Sequence, residues 1–353
     1  MTTGATLTHA RGPATESSHA DLLRAIREAG LLERARPFYF GLVAILTCCL
    51  LGAATGGVLL GTSWFQLLIA GVLGVVFTQF AFFSHEAAHR QVFASGVRND
   101  RAALWIGSGL VGLSYSWWMS KHSRHHANPN MVGRDPDIEP RALVFEPADA
   151  LARRGIRGMI TRRQGYLFFP MLLLAGLGLH VSAIKHAFRR NSTAGNLERA
   201  LLIFRLGVYP AVIIGLLGPG MGAAFLGVQI ATFGVYMGLS FAPNHKGMPI
   251  ISAKSKLDFV RKQVLTSRNI KGRGMTTFFG GLNYQIEHHL FPSMPRPHLP
   301  RAATLVREHC ARLKLPYTET TFAQSYARVV EYLNRVGLGA ADPFDCPAAR
   351  SLG

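Results

Sequence analysis

The sequence predicts an all-α integral membrane protein whose four transmembrane helices form two hairpins. Three observations predict it. Of 353 residues, 49% are hydrophobic and only 16% charged, where a soluble domain is nearer about a quarter charged. The apolar residues are clumped into long runs, and the mean hydropathy is positive. Two short, uncharged, turn-forming linkers, "GTS" (61–63) and "GPG" (218–220), each join a pair of those runs.

Residues 1–18 are rich in Thr, Ser, Ala and Gly and read as a disordered leader; the polar N-terminus holds no apolar signal core. "SSHADLLRAIREAGLLERA" follows, with a serine at a helix-capping position and Leu22, Leu23, Ile26, Leu31 and Leu32 at helical spacing. It predicts an amphipathic helix, either lying at the membrane surface or packing in the ordinary way, which would give the same pattern. Apolar runs then occupy 38–60, 64–83, 102–119, 166–184, 200–217 and 221–241. A span needs about 20 apolar residues. The runs 38–60, 64–83, 200–217 and 221–241 are taken as spans, with Arg205 near one end and free to snorkel. The Gly-rich 102–119 and the 166–184 run are expected to be interfacial or re-entrant. This choice puts both linkers outside and the Lys and Arg residues inside, including Lys185, Arg189, Arg190 and Arg199 between the hairpins. From about 255 to 340 the chain returns to soluble-looking helical sequence, and 341–353 reads as a tail.

The net charge of +19 fits the same positive-inside bias. No base-stacking motif or zinc-finger spacing accompanies it, so nucleic acid is not expected as a partner. Cys48, Cys49, Cys310 and Cys346 form no disulfide framework and no CxxC pair, as suits a reducing cytosolic face.

Of the fourteen histidines, seven fall into three tight clusters: "HEAAH" (His85, His89), "HSRHH" (His122, His125, His126) and "QIEHH" (His288, His289). Residues at i, i+3 and i+4 share a helix face, so each cluster on a helix aims its imidazoles at one point. The four-span arrangement puts all three clusters on one side of the bilayer. Neutral imidazole suits Zn, Cu, Fe and Ni. Seven or eight histidines exceed the four ligands of one structural zinc, and so point to two metal ions. His245, in "FAPNHKGMP" at the cytosolic end of the last span, is the eighth candidate, with Asn244 beside it. Gln285 is placed as a weak or water-mediated ligand, and Glu86 and Glu287 as carboxylates orienting imidazole N–H groups. "GRDPDIEP" (133–140), with Asp135, Asp137 and Glu139, can contact metal-bound histidines or substrate, and equally serve as a capped loop.

In these residues the sequence resembles the membrane fatty acid desaturase family: HxxxH, HxxHH and QxxHH are spaced as that family spaces them. "HSRHHANPN", "RDPDIEP", "FAPNHKGMP" and "NYQIEHHLFP" resemble actinobacterial acyl-lipid or acyl-CoA desaturases. The resemblance covers about residues 20–335. It implies four spans under a cytosolic helical cap holding two irons, in a domain of residues 19–340. It also implies O2-dependent formation of a cis double bond in a fatty acyl chain carried on CoA or lipid. Matched residue by residue, the iron ligands would be His85, His89, His122, His125, His126, His288 and His289, with His245 added. Gln285, in place of His, is typical of the branch that includes front-end desaturases. The fused haem domain with an HPGG motif that many of those carry is not found in this sequence. Electrons are therefore expected from a separate donor, a ferredoxin, cytochrome b5-like protein or flavin reductase. The expected site is a bacterial plasma membrane, with the centre and both termini cytoplasmic.

An alkyl C–H is neither acidic nor electrophilic, so its cleavage calls for a metal–oxygen centre and an apolar tunnel that excludes water. Trp117, Trp118 and Phe241 are expected either to line that tunnel or to serve as interfacial belt residues. A hydroxylase, ketolase or sphingolipid-type desaturase would use the same histidines. A metal transporter would place polar residues within its spans, and these runs carry almost none.

Overall fold

The computed structural model describes residues 14–339, with side chains from residue 19 onward. Residues 1–13 of the expected leader and the 341–353 tail lie outside the described residues. The elements in order are α1 (Ala14–Glu28), α2 (Arg36–Leu60), α3 (Gln66–Ala88), α4 (Gly96–Leu104) and a π-helical segment, Trp105–Val111. They continue with α5 (Tyr115–Ala127), α6 (Pro147–Ala152), α7 (Gly155–Thr161), α8 (Gln164–Ala187) and α9 (Asn196–Ile203). A second π segment, Phe204–Val208, leads into α10 (Tyr209–Leu217) and α11 (Pro219–His245). The C-terminal third holds α12 (Phe259–Thr266), β1 (Asn269–Lys271), α13 (Met275–Phe278), α14 (Gln285–Leu290), α15 (Leu299–Arg312), β2 (Glu319–Thr321) and α16 (Phe322–Gly337). The two strands pair in parallel.

Among the described residues, five helical stretches are long and apolar enough to cross a membrane: α2, α3, α8, the continuous run Asn196–Leu217, and α11. Four coincide with the expected spans; the fifth, α8, covers the 166–184 run. The α2–α3 turn is closed by Gln66, whose Nε2 donates to the carbonyls of Gly57 at 2.6 Å and Gly61 at 2.7 Å. At the other hairpin Gly218, with φ +77, reverses the chain and Pro219 starts α11, where a fixed φ and a missing N–H cost nothing. Helix α11 is the central post. Gly74 of α3 lies against its Gln229 carbonyl and Thr232, while Gly176 of α8 lies against its Ile230 carbonyl and Gly234. Small residues let the backbones approach where lipid supplies no hydrophobic drive between helices.

Two expectations are corrected here. Arg205 does not snorkel: it is buried, its Nε donates to Leu110 O at 2.6 Å, and its guanidinium lies 4.6 Å from the Phe77 ring and 4.2 Å from Tyr209. The reason is the break in the 102–119 run. Its π turn ends at Gly112, with φ +89, and leaves carbonyls that need donors. Arg205 takes Leu110 O, His180 Nε2 lies 3.3 Å from Val111 O, and Ser108 Oγ donates to Leu113 O. The N-terminal helix departs from expectation at its start. It begins at Ala14, inside the stretch assigned to the leader. Leu22 and Ile26, with Leu31 just beyond, are buried among Val260 and Val264 of α12, Ile286 of α14 and Val306 of α15. It is an ordinary packing helix of the cap.

A Cβ on Gly176 would sit 2.4 Å from Ile230 O, whereas one on Gly178 meets nothing within 4 Å. Gly176→Leu is expected to lower stability by about 1–3 kcal/mol, read as a drop in the detergent-solubilised melting temperature, with Gly178→Leu unchanged.

Candidate metal centre

The three histidine clusters and His245 meet at one place. The first sits on the last turn of α3, where His85 is helical and His89 caps the end; Arg90 then turns the chain with φ +59. The second rides on α5, whose first turn is capped by Ser114; that hydroxyl accepts from Trp117 N and donates to Glu198 Oε1 at 2.6 Å. The third is the short α14, and His245 ends α11.

The clusters do not each aim at one point. His85, His89, His122 and His288 form one group of converging nitrogens, and His125, His245 and His289 a second. Within "HSRHH" the i, i+4 pair stays together: His126 Nε2 lies 2.9 Å from His122 Nε2. His125, at i+3, turns to the other group and places its Nε2 3.2 Å from that of His245. "QIEHH" is split too, since adjacent residues lie about 100° apart around a helix. The acidic set His125, Asp135 and Asp137 is a hydrogen-bonded pair with a neighbour, as described next.

In the second group every Nδ1 has an acceptor. His125 Nδ1 lies 3.0 Å from both Asp135 oxygens, His245 Nδ1 2.9 Å from Thr266 O, and His289 Nδ1 2.9 Å from Gln263 Oε1. With Nδ1 donating, each Nε2 keeps its lone pair. Asp135 is itself held by the Asn130 and Asp137 backbone N–H groups at 2.7 and 2.8 Å.

The first group supplies the test of whether a metal fits. His122 Nε2 lies 3.1, 2.9 and 2.9 Å from the Nε2 atoms of His85, His89 and His126. One imidazole nitrogen offers one proton or one lone pair, so three such neighbours cannot all be hydrogen bonds. The Nε2 atoms of His288 and His289 are buried with no partner. For metal–nitrogen bonds of about 2.1 Å, ligands at right angles stand about 3.0 Å apart and at tetrahedral angles about 3.4 Å. The observed spacings match the former. Burial pushes His89 down to about 3, and holds His122, His126, His288 and His289 well below the usual histidine range, with neighbouring imidazoles adding to the effect. Near neutral pH these rings are uncharged, the form in which imidazole can hold a metal.

Gln285 reaches the second group, its Nε2 2.9 Å from His245 Nε2, while Asn244 Nδ2 donates to Gln285 Oε1 at 3.1 Å. Glu86 and Glu287 depart from expectation, because their carboxylates hold other partners. Glu86 takes Arg296 Nε and Nη2 at 2.8 and 2.6 Å and lies 3.3 Å from the Tyr39 hydroxyl. Glu287 accepts from Asn269 Nδ2 at 2.7 Å and Tyr317 Oη at 2.8 Å, and burial pushes it up to about 7. Both brace the backbone that carries the ligands. Sequence reading missed Gln263 and the Thr266 carbonyl, which no spacing marks. It left Asp135 open, and the "RDPD" run was the available signal.

A pocket of ≈ 30 Å³ abuts His85 on the side of the long apolar helices, lined by Phe82, Leu113, Tyr115, Trp118, Met237 and Phe241 among others. Trp118 and Phe241 line it as expected. Trp117 does not border it and lies instead under Lys121.

The model of the fatty acid desaturase family matches residues 62–321. The chain is 32% identical over 289 residues to an acyl-lipid (9-3)-desaturase of Physcomitrium patens, covering 78% of this chain and 54% of that one. It is 29% identical to a Delta(8)-fatty-acid desaturase of Helianthus annuus, covering 86% and 69%, and 28% identical to a Delta(6)-fatty-acid desaturase of Caenorhabditis elegans, covering 90% and 74%. The chain thus spans 54% of the moss protein's length and somewhat more of the other two. It belongs to the fatty acid desaturase family.

Removing the carboxylate behind a metal-bound histidine typically weakens metal binding about 10–100-fold. Asp135→Ala and Gln263→Leu should each lower the metal-to-protein ratio left after dialysis against a chelator, with Glu139→Ala unchanged.

Proposed function

We propose that this member of the fatty acid desaturase family forms a cis double bond in a fatty acyl chain, carried on CoA or lipid. The balance is R–CH2–CH2–R′ + O2 + 2 e− + 2 H+ → R–CH=CH–R′ + 2 H2O. The observation that carries this reading is the convergence of seven buried or half-buried histidines into two adjacent groups, with His126 Nε2 2.9 Å from His122 Nε2, at spacings that hydrogen bonds alone cannot account for. His85, His89, His122, His126 and His288 would hold one iron, and His125, His245 and His289 the other, with Gln285 at the edge of the second. Iron there supplies the O2 activation that an unactivated methylene requires.

The chain's own residues do the rest. Asp135, Gln263 and the Thr266 carbonyl fix the tautomers of the second group. Phe82, Leu113, Trp118, Met237 and Phe241 offer an apolar wall beside His85, where a methylene is held and water excluded. The relatives' printed names span Delta(8), Delta(6) and (9-3) positions, and Gln285 is in keeping with a front-end enzyme; the double-bond position is for product analysis to assign. A bacterial plasma membrane with a cytoplasmic centre, and a separate electron donor, complete the reading.

The membrane arrangement belongs to the same proposal: two hairpins cross, and α8 enters among the helices without crossing, both its ends held on the inner side. Both ends of α8 support this. Near its start, Gln164 Nε2 donates to Leu333 O and Gly165 N to Asn334 Oδ1, both on α16 of the cap. Near its end, Ala183 and Ala187 pack with Ala194 and Leu202, and Arg199 Nε donates to Ala187 O. The next residue back, Glu198, holds the first turn of the histidine-bearing α5. A crossing by α8 alone would strand His288 and His289 opposite His85.

Expression in a host lacking the activity, with double bonds mapped in its lipids, should give a new cis-unsaturated acid. His125→Ala should abolish that product while the protein stays in the membrane; an unchanged product would contradict the ligand assignment. In the topology arm, Thr62→Cys and Gly220→Cys should react with a membrane-impermeant thiol reagent on intact cells, and Thr193→Cys only after permeabilisation. Labelling of Thr193→Cys on intact cells would mean that α8 crosses.

A further inference from the structure

We propose that the exposed basic face formed by the C-terminal end of α5, the loop after it and residues 252–262 is the docking surface for a small acidic one-electron carrier protein. The inference rests on the desaturase reading, which consumes two electrons and two protons per double bond; two carriers are each oxidised by one electron, and O2 is reduced to water.

The face is built from like charges left uncompensated. Arg124, Arg134, Lys254 and Lys256 are exposed and Lys262 half-buried. Among the described residues none of the five lies in an ion pair with a carboxylate. The nearby Asp258 is engaged by Arg261, and Asp137 by Lys121. The segments are physically joined: Val132 N donates to Ile251 O, bringing the Arg134 loop beside the Lys254 segment, and Lys262 Nζ donates to Ala127 O at the end of α5. Burial disfavours the charge on Lys262, and the nearby Arg134 adds to the effect. A cluster that repels itself is one an acidic partner relieves.

The face also lies one residue from the ligands. On α5, Arg124 and Ala127 are exposed while His125 beside them is buried. Next to Lys262, Gln263 joins both metal groups, accepting from His289 Nδ1 and donating to His126 O at 2.9 Å. A carrier seated here reaches the centre through one layer of side chains. Lipid headgroups fit the place less well. Tyr115, at the start of α5, borders the apolar pocket, and Arg124 and Ala127 follow it by about 14 and 18 Å along the helix axis.

The test uses the full-length metal-loaded protein in neutral detergent and an acidic [2Fe–2S] ferredoxin as probe, following reduction of the metal centre by stopped flow. For the wild type the second-order rate should fall steeply with added salt. The triple variant Arg134→Glu, Lys254→Glu, Lys256→Glu should be slower by about tenfold or more at low salt, and converge with wild type at high salt. Reduction by dithionite, which needs no docking, should be unchanged. The same charge reversal on α15 and just after it, Arg301→Glu, Arg312→Glu, Lys314→Glu, should leave the ferredoxin rate within about twofold. Equal ferredoxin rates for wild type and the first variant overturn the assignment, as does a loss confined to vesicles of anionic lipid, which would make the face a headgroup site. A wild-type centre that dithionite reduces but that yields no unsaturated product would instead overturn the desaturase reading.

Discussion

The structure depends on holding nitrogen lone pairs together against their mutual repulsion. His122 Nε2 has three other Nε2 atoms within 3.1 Å, and no distribution of protons satisfies all of them. A buried polar atom without a partner costs about 1–3 kcal/mol, and several are gathered here. Only a cation turns that cost into bonding. A metal bound there would link its own binding to the folding of this region, and the surrounding contacts keep the rings in place.

Those devices act on the backbone as much as on the rings. The buried Glu86–Arg296 pair ties the end of α3 to the 3-10 turn that leads into α15, and Tyr39 of α2 meets both, its hydroxyl accepting from Arg296 N at 3.2 Å. Gln91 Nε2 adds a bond to Pro292 O at 2.8 Å. A buried ion pair is weak evidence of net stability, but losing one partner costs about 3–5 kcal/mol. Its value here is positional: it fixes the first and third clusters, more than two hundred residues apart in sequence, in one register. Gly280 and Gly281, with φ +60 and +86, press the backbone before the third cluster against Phe82 and Arg296, where a Cβ would collide.

The convergence of the histidines was legible because they obey a local rule. Their i, i+3 and i+4 spacing is written in the chain, and His245 was found from its place at a helix end beside Asn244. The division into two groups was not legible, because shared helix faces look alike until partner helices settle which lone pair meets which. Glu86 and Glu287 misled for the same reason: acids next to ligand histidines can turn to either side, and here the better partners, Arg296, Asn269 and Tyr317, come from distant segments. Gln263 left no trace at all, since its role is set by tertiary approach. The run 166–184 was legible as an apolar helix, but hydropathy measures its length and says nothing about where its ends are tethered.

Arg205 connects the apolar layer to the centre. A helix unbroken from residue 96 to 127 would run about 48 Å and would carry His122 far from His85. The chain prevents this by turning at Gly112, and the turn exposes carbonyls in an apolar setting, where nothing but protein can satisfy them. Arg205 supplies the donor at Leu110 O and rests its charge on Phe77 and Tyr209 rather than on a carboxylate. Glu198, seven residues earlier on the same helical run, then caps the new helix that the turn begins, bonding Ser114 and the Ser116 N–H. One helical run thus holds both sides of the break, so that a charge buried among lipid-facing helices helps aim the second histidine cluster at the first.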